Sequence, residues 1–323
     1  MKKWIIIKLT SLFLVLFLLV GMMIGMLNNG SSLETSSDYY GYSVPYNGAY
    51  EYVNDSYYTS SLDEPYIIGG GTIDSKSITD IYIDWINGNI DILETDDTAI
   101  SINEDNLHTI AISINEDNGH NSDSYKLRYR IINNTLEIRY MEEYMPYSTS
   151  DSGKKLTINL PEKEKGKFKI KTNTVKSDIL VRDVTIDELT AANKTGNLIV
   201  NNGKIYNLNY TADEGSFYTN CTSNSISVDV HRGAIDCTLD TSSKNVDLTL
   251  YDGNINVRLP KDIPGYLAIL DFSQLHGSVG HFSEFENAAE ENEYDYKDIL
   301  RYGDESLYIN AAMGFGDFRI LKK

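Results

Sequence analysis

From residue 72 onward, apolar side chains alternate with polar ones in short segments, which is the pattern of β-strands. In 81–92 the alternation continues on both sides of Asn87-Gly88, and in 127–140 it continues on both sides of Asn133-Asn134. Period-two alternation that is rich in β-branched residues and interrupted by Asn or Gly predicts strands joined by tight turns. We therefore predict antiparallel hairpins over 72–145.

A second pattern, over 168–286, is a glycine that recurs about every twenty residues just before a short strand. The intervals between successive glycines are 19, 18, 20 and 24 residues. A repeat this short cannot bury its own apolar face, so its copies must stack on one another. In such a β-solenoid the coils lie about 4.8 Å apart, with like residues above like residues. The glycines of this column are Gly196, Gly215, Gly233, Gly253 and Gly277.

The register of the repeat predicts which side chains fill the solenoid. Positions two and four after each glycine should point inward, and the position between them should point outward. Before two of the glycines, a second strand places apolar residues at the same three offsets. The inward columns are Leu198, Phe217, Ile235, Ile255 and Val279, and Val200, Thr219, Cys237, Val257 and His281; the outward column is Ile199, Tyr218, Asp236, Asn256 and Gly280; the second strands are Ile226, Val228 and Val230, and Val246, Leu248 and Leu250, with Leu189 and Leu208 at the first of these offsets in earlier coils.

The segments that flank the regular repeat are expected to begin and close the stack. A looser copy begins at Lys176, twenty residues before Gly196. The segment 304–323 repeats the glycine-strand signature, so we predict a last coil or cap over the end of the solenoid. The acidic segment 284–302 breaks the pattern, and we predict an insertion with a short helix on a loop. Roughly six coils would make a rod about 25–30 Å long.

The N-terminus carries a continuous apolar run instead of alternation. Residues 9–27 contain no charged side chain, and these 19 residues would form about 28 Å of helix, enough to cross a membrane. Three lysines within residues 1–8 are the only charges before residue 31, so we expect 1–8 to stay in the cytoplasm and the rest to lie outside the cell. A cleaved signal peptide is the alternative, although no small-residue cleavage site follows the run.

Residues 28–66 link this apolar run to the alternating region and are rich in Tyr and Ser. They show no sustained period, so we predict a flexible stalk. The alternative is a tyrosine-rich contact patch, since tyrosine offers amphipathic contact area. Gly69-Gly70-Gly71 is expected to act as a hinge between the stalk and a folded domain over 67–323. The predicted fold class is all-β, a β-solenoid of stacked coils of about twenty residues with antiparallel N-terminal strands, preceded by one transmembrane helix.

Composition narrows the partners that such a protein can bind. The formal net charge of the chain is −19, which argues against nucleic acid and anionic membrane surfaces because their phosphates would be repelled. Two cysteines are too few for a disulfide-dense scaffold or a multi-cysteine zinc site. Cys221 and Cys237 both have inward parity but are offset by two residues, so we expect two buried thiols. A local slip in register would bring them together, and an oxidising exterior would favour the bond.

Residues that could carry chemistry are scattered. The five histidines form no H-x-x-x-H or H-E-x-x-H motif, so a zinc site is not indicated. The acidic turns of the heptapeptide ISINEDN, which occurs at 100–106 and 112–118, do not have the spacing of a calcium loop. We therefore predict no catalytic, cofactor-binding or metal-binding residues and no cofactor. His108, His120, His231, His276 and His281 are the histidines, and the turn acids are Glu104, Asp105, Glu116 and Asp117.

Three sequence elements together indicate a family. They are IDWINGNIDI at 83–92, LTINLP at 156–161 and the serial Gly-x-Ile-x-Val turns. With these elements, 72–323 resembles the bacterial "putative adhesin" domains of unknown function, also called toast-rack domains. The resemblance implies a β-solenoid at the bacterial cell surface or envelope, often after a single membrane span, with a role in adhesion or envelope-stress sensing. It implies no catalytic residues.

The leading functional hypothesis is a single-pass protein of the cell membrane whose extracellular solenoid binds a carbohydrate or protein ligand without catalysis. One alternative is envelope-stress sensing. It would require a membrane partner, because eight cytoplasmic residues are too few to signal alone. A polysaccharide-active solenoid enzyme is the other, since such enzymes cluster carboxylates in a groove. The best cluster for that chemistry is Asp229, His231, Arg232, Asp236 and Asp252.

Overall fold

The computed structural model describes residues 66–106, 127–140, 154–272, 279–285, 289–294 and 297–323. The regular elements of this part of the chain are strands, apart from the single-turn 3-10 helices Ser75–Ser77 and Glu162–Glu164. The predicted all-β class is therefore confirmed for the described residues. None of them belongs to a helix that is long and apolar enough to span a membrane. The predicted transmembrane helix at 9–27 lies outside the described residues.

Twenty strands follow one another along the described chain. The strands before the regular repeat are β1 (Ile67–Ile68), β2 (Gly71–Asp74), β3 (Asp80–Asn87), β4 (Asn89–Thr95), β5 (Ala99–Asn106), β6 (Leu127–Ile132), β7 (Thr135–Tyr140) and β8 (Lys154–Pro161). Those that follow are β9 (Lys169–Lys176), β10 (Ile179–Arg182), β11 (Thr185–Thr195), β12 (Leu198–Asn201), β13 (Lys204–Thr219), β14 (Ser225–Thr238), β15 (Asn245–Leu259), β16 (Gly265–Asp271), β17 (Val279–Ser283), β18 (Ala289–Tyr294), β19 (Lys297–Gly303) and β20 (Leu307–Lys322).

The strands form two parallel stacks that share their corners. The long strands β13, β14, β15 and β20 run through a corner glycine, and we call the part before it face A and the part after it face B. Face A stacks β7, β3, β9, β11, β13, β14, β15, β20 and β16 in parallel. Face B stacks β8, β4, β10, β12, β13, β14, β15, β20 and β17 in parallel. These nine levels exceed the six that we predicted, because two levels of strands before the repeat, β7 with β8 and β3 with β4, and the strand β20 after it join the stack.

The core of the protein lies between the two faces and consists of the predicted columns. Gly215, Gly233 and Gly253 are direct neighbours in the strand register, which confirms the stacking of the repeat. The predicted inward residues from 198 to 257 are buried, and the first column continues in both directions beyond them. In stacking order that column is Leu156, Ile90, Ile179, Leu198, Phe217, Ile235, Ile255 and Phe318, each with no exposed surface.

The predicted hairpin at Asn87-Gly88 is wrong. Strand β3 pairs in parallel with β7 and β9, and β4 pairs in parallel with β8 and β10. Gly88 has a φ of 103° and its N–H donates to the carbonyl oxygen of Lys176 at 3.1 Å, so the pair is a solenoid corner and not a two-residue turn. The hairpin at Asn133-Asn134 is confirmed, since β6 and β7 are antiparallel and Asn133 adopts a φ of 55°.

The order of the C-terminal coils also differs from the prediction. Strand β20 lies directly on β15, and β17 lies beyond β20. His281 is the neighbour of Phe318, so β17 is shifted by two residues against the predicted columns, and the predicted places of Val279, Gly280 and His281 are wrong. The segment 304–323 is consequently an internal coil and not a cap. The physical reason is that β20 supplies apolar side chains on both sides of its glycine, whereas β17 is one short strand.

The described residues of the acidic segment 284–302 include strands β18 and β19 and no helix, contrary to the predicted short helix. Strand β19 pairs antiparallel with β16, and β18 pairs antiparallel with β19. Ile299 and Leu300 are 5% and 3% exposed, so β19 contributes apolar side chains to the end of the stack. Because β19 covers the edge of β16 and β18 covers β19, the described part of this segment closes the solenoid at face A.

The first described residues are bound to the folded domain. The phenol ring of Tyr66, the last residue of the predicted stalk, lies under the guanidinium of Arg130 at 4.4 Å, and its hydroxyl donates to Glu137 at 3.0 Å. The N–H of Gly69 donates to the carbonyl of Leu127 at 2.7 Å, and Gly71 belongs to β2. The glycine run is thus part of paired backbone and does not show the predicted hinge. The rest of 28–66 and the second ISINEDN segment lie outside the described residues.

Cys221 and Cys237 are buried free thiols, as the two-residue offset predicted. Cys237 is the register neighbour of Thr219, not of Cys221. The hydroxyl of Thr219 lies 3.2 Å from the sulfur of Cys221. Burial raises the pKa of both thiols, which keeps them protonated and slow to oxidise.

The corner glycines generate a prediction about stability. An alanine Cβ at Gly215 or Gly233 would overlap the carbonyl oxygen of the glycine one coil earlier, whereas at Gly166 the nearest atom lies 3.8 Å away. Gly166 and Gly233 have φ values of 74° and 153°, and Gly215 has no such strained φ. We expect Gly166→Ala to lose about 1 kcal/mol from conformation alone, and Gly215→Ala and Gly233→Ala to lose more than about 2 kcal/mol.

Equilibrium urea unfolding of the full-length chain, followed by far-UV circular dichroism, measures these losses. Gly166→Ala serves as the matched control because it carries the same change without the overlap. Equal losses for the three variants would show that corner contact between backbones does not limit the fold.

Candidate functional site

Many polar residues beside the corner glycines serve the backbone and not a ligand. The N–H of Asn197 donates to Asp178 Oδ1 at 2.9 Å, the N–H of Ser216 donates to Asn197 Oδ1 at 2.9 Å, and the N–H of Ala234 donates to Ser216 Oγ at 3.2 Å. Each side chain thus accepts from the backbone of the next coil. This ladder satisfies donors that the corner would leave without a strand partner, so these residues are not candidates for binding.

The strongest candidate lies on the outer side of face A, two residues before the corner glycines. The register of β13, β14 and β15 places Asp213, His231 and Tyr251 side by side in successive coils. Asp229 points to the same side as His231, two residues earlier in β14, and Phe315 follows at the corner of β20. We call Asp213, Asp229, His231, Tyr251 and Phe315 the acid–aromatic patch.

The aromatic members of the patch form a continuous row across three coils. The rings of His231 and Tyr251 stack with centroids 4.7 Å apart and planes inclined by 12°. The ring of Phe315 meets Tyr251 edge to face, with centroids 5.9 Å apart and planes inclined by 73°. Phe315 is 44% exposed, although removing a phenyl ring from water is energetically favourable. The row therefore presents apolar and polarisable surface to solvent on a rigid strand frame.

The carboxylates of the patch lie in an environment that disfavours their charge. Burial raises the pKa of Asp213, although the nearby charges of Lys194 and His231 act in the opposite direction. Burial likewise raises the pKa of Asp229, against a smaller opposite effect of His231. Perturbed carboxylates on the outside of a protein are more typical of functional sites than of structural ones.

The nearest arginine is engaged at the corner and not with these two carboxylates. Arg232 lies 2.8 Å from Glu214 and 3.9 Å from Asp252, and all three side chains are exposed. The corner therefore carries two acids for one arginine. An exposed ion pair of this kind stabilises the fold little, but it fixes the charges that border the patch.

The structure brings together only part of the cluster that the sequence indicated. Asp229 and His231 are in the patch, and Arg232 and Asp252 border it at the corner. Asp236 lies on face B, where it forms an ion pair with Arg258, because three residues and a corner separate it from Arg232. Sequence reasoning identified Tyr251 as an outward residue but did not include Asp213, Tyr251 or Phe315 in the candidate cluster. Counting back two residues from each glycine would have aligned Asp213 and Tyr251 with His231. The position of Phe315 could not be found in this way, because it depends on β20 lying directly on β15.

The remaining predicted chemistry is placed as follows. His281 Nδ1 lies 3.2 Å from Asp298 Oδ2, so it has a partner, although at a different level of the stack from the one predicted. In the part of the chain that the structure describes, no group of three His, Cys, Asp or Glu side chains could hold a metal ion. Three histidines and the second acidic turn are in segments outside the described residues: His108, His120, His276, Glu116 and Asp117.

The raised carboxylate pKa values generate a prediction about stability. If the pKa of a carboxyl is higher in the folded than in the unfolded state, the protein loses stability as the pH rises above the unfolded-state pKa near 4. We therefore expect Asp213→Asn and Asp229→Asn each to stabilise the protein at pH 7 by up to about 0.5 kcal/mol, and the gain to vanish near pH 3. Thermal unfolding of the full-length chain at both pH values measures this difference.

Asp252→Asn is the matched control, because it removes the same charge from a carboxylate that faces Arg232. It should give no gain at pH 7. A loss of stability in the Asp213 and Asp229 variants at pH 7 would show that these carboxylates are structural.

The chain was compared with protein families, with curated proteins and with solved structures. Residues 169–301 match the family model described as Toastrack DUF4097. None of the curated proteins compared with the chain matches it. Seven solved chains match in structure. One is described as a "putative cell adhesion protein" from Clostridium sporogenes ATCC 15579; it is 15% identical over 80% of this chain and 100% of its own length, with a TM-score of 0.33. Another, a "putative adhesin" from Bacteroides fragilis NCTC 9343, is 12% identical over 80% of this chain and 98% of its own, with a TM-score of 0.38.

The family match begins in β9 and ends in β19. It thus includes the strands that form most of the patch, β13 to β15, and leaves out β3, β4 and β20, which stack in the same columns. Over residues 169–301 the chain thus matches the model of the Toastrack DUF4097 family, the family that its glycine-punctuated strands resemble.

Proposed function

We propose that the chain is a membrane-anchored binding module of the bacterial cell envelope or surface, which recognises a carbohydrate or protein ligand without catalysis. The acid–aromatic patch is the observation that carries this proposal. It places three rings and two carboxylates on successive coils, on a frame held by backbone pairing on both sides. A preordered surface of this kind loses little conformational entropy when a ligand binds.

The exposed ring of Phe315 and the half-buried ring of Tyr251 support binding over a purely structural role. Tyr251 and Phe315 would contribute more to stability inside the core than on the outer side of face A. Aromatic residues are enriched where partners are recognised, because they give large contact area at low entropic cost. A role in recognition accounts for their position.

The N-terminal sequence supports anchoring. The apolar run at 9–27 and the three lysines before it match a signal anchor with its N-terminus in the cytoplasm. In this arrangement residues 28–66 separate the binding domain from the membrane. The net charge of −19 would keep the domain away from anionic lipid headgroups.

The location is tested on the full-length chain with a C-terminal epitope tag, expressed in bacteria that are converted to protoplasts. We expect the tag to remain in the membrane pellet after alkaline washing and to be removed by protease added outside. The control variant Leu16→Arg/Leu19→Arg should leave the membrane fraction, because each arginine costs about 3 kcal/mol at the helix centre. A protected tag, or a shortened soluble product, would contradict the proposed anchor.

The binding function is tested with the full-length chain in detergent micelles, applied to arrays of purified glycans and of extracellular proteins. We expect saturable binding to at least one component, weakened by Tyr251→Ser/Phe315→Ser. The matched control is Tyr218→Ser/Phe282→Ser, which removes two aromatic residues that are 41% and 53% exposed on face B. Absence of saturable binding, loss only in the face B variant, or release of cleaved sugar that Asp229→Asn abolishes would contradict the proposal.

A further inference from the structure

We infer that the acid–aromatic patch binds an extended polypeptide segment whose alternate side chains are cationic. This inference rests on the proposed function and names the chemistry of its ligand. It is carried by the charge of the patch, by the position of its rings and by the distance between its carboxylates, and each of these is independent of the others.

Charge complementarity favours a cation. The chain carries 47 acidic residues against 28 basic ones, so its field attracts cationic ligands and repels anionic ones. Within the patch, Lys194 is the lysine beside Asp213 in the register, and the charge of His231 opposes, less strongly, the effect of burial on Asp229. Arg232 is held by Glu214 and Asp252. A ligand ammonium or guanidinium group would compensate the two carboxylates where the protein does so incompletely.

The aromatic row adds a second reason for a cation. Ring faces attract ammonium and guanidinium groups through the quadrupole of the π-system. The Tyr251 ring lies one coil from His231 and Asp229, two coils from Asp213, and beside Phe315, so a cation at Asp229 can contact a ring and a carboxylate together. An anionic or neutral ligand would gain the apolar contact but would meet the carboxylates without a counter-charge.

Geometry favours a polypeptide over other carriers of positive charge. Asp213 and Asp229 are diagonal neighbours, one coil and two residues apart, which places their side chains roughly 7–8 Å from each other. Alternate side chains of an extended polypeptide repeat at about 6.6 Å and point to the same side. A Lys-x-Lys segment lying across β13 and β14 would therefore bring one ammonium group to each carboxylate.

The probe that tests this inference is a fluorescent, terminally blocked peptide with lysines at alternating positions among Gly and Ser. Its binding to the full-length chain in non-ionic detergent is measured by fluorescence anisotropy. We expect saturable binding that Asp213→Asn/Asp229→Asn weakens at least about fivefold, that Tyr251→Leu weakens about two- to fivefold, and that salt weakens progressively.

Two comparisons make the test specific. The matched control Asp262→Asn/Asp304→Asn removes two acids from exposed turns and should change the affinity less than twofold. A peptide of the same composition with its lysines adjacent should bind several-fold more weakly, because adjacent side chains of an extended segment point to opposite sides.

Several outcomes would overturn the inference. They are absence of binding by the wild-type chain, equal weakening in the control variant, equal affinity for both peptides, and Asp213- and Asp229-dependent binding of chitosan oligosaccharides without binding of the peptide. The last outcome would assign the cation to an amino-sugar polymer. Each would leave the proposed function standing if the tag is accessible outside the membrane and another ligand binds saturably on the arrays.

Discussion

The close approach of backbone to backbone at the glycine corner is the constraint on which the structure depends. The corner glycines Gly215, Gly233, Gly253 and Gly316 each lie so near the carbonyl of the glycine in the neighbouring coil that no Cβ fits between them. Because the contact is between main-chain atoms, it fixes the distance and the register of the two coils at once. Face A and face B then stack from the same reference point, and the polar ladder beside the corner satisfies the donors that the bend exposes.

A fixed register gives the two sides of each strand different roles. The inner side repeats residues that need only fit the column, and a small polar residue is tolerated there, as Thr219 is beside the buried thiol of Cys237. The outer side is free of this packing requirement, and its identity changes from coil to coil. Residues of different chemistry can therefore be placed on the outer side without disturbing the stack. The acid–aromatic patch is such a place, since it combines stacked rings with partly buried carboxylates.

The sequence allowed the central coils to be predicted but not the order of the outer ones. Periodicity places Gly215 on Gly233 because the intervals between them hardly vary. It does not distinguish a hairpin from a corner at Asn87-Gly88, since both need a left-handed or close-packed residue between two alternating strands. Nor does it reveal that β20 is inserted before β17, because the choice depends on which segment fills both faces. Only part of the patch could be predicted, for the same reason. Asp229 and His231 are close in sequence, whereas Phe315 is brought to them only by the position of β20.

The patch also shows how stability and recognition separate in this fold. In a stack stabilised by buried columns and paired backbone, a partly buried carboxylate such as Asp229 destabilises the fold at neutral pH, since burial disfavours its charge. A threonine occupies the same row one coil before and one coil after it, at 211 and 249, and would satisfy the strand at lower cost. The exposed ring of Phe315 is unfavourable for a different reason, its contact with water. Two unrelated costs at one surface indicate a common compensation, and a ligand that covers the rings and neutralises the carboxylates would supply it.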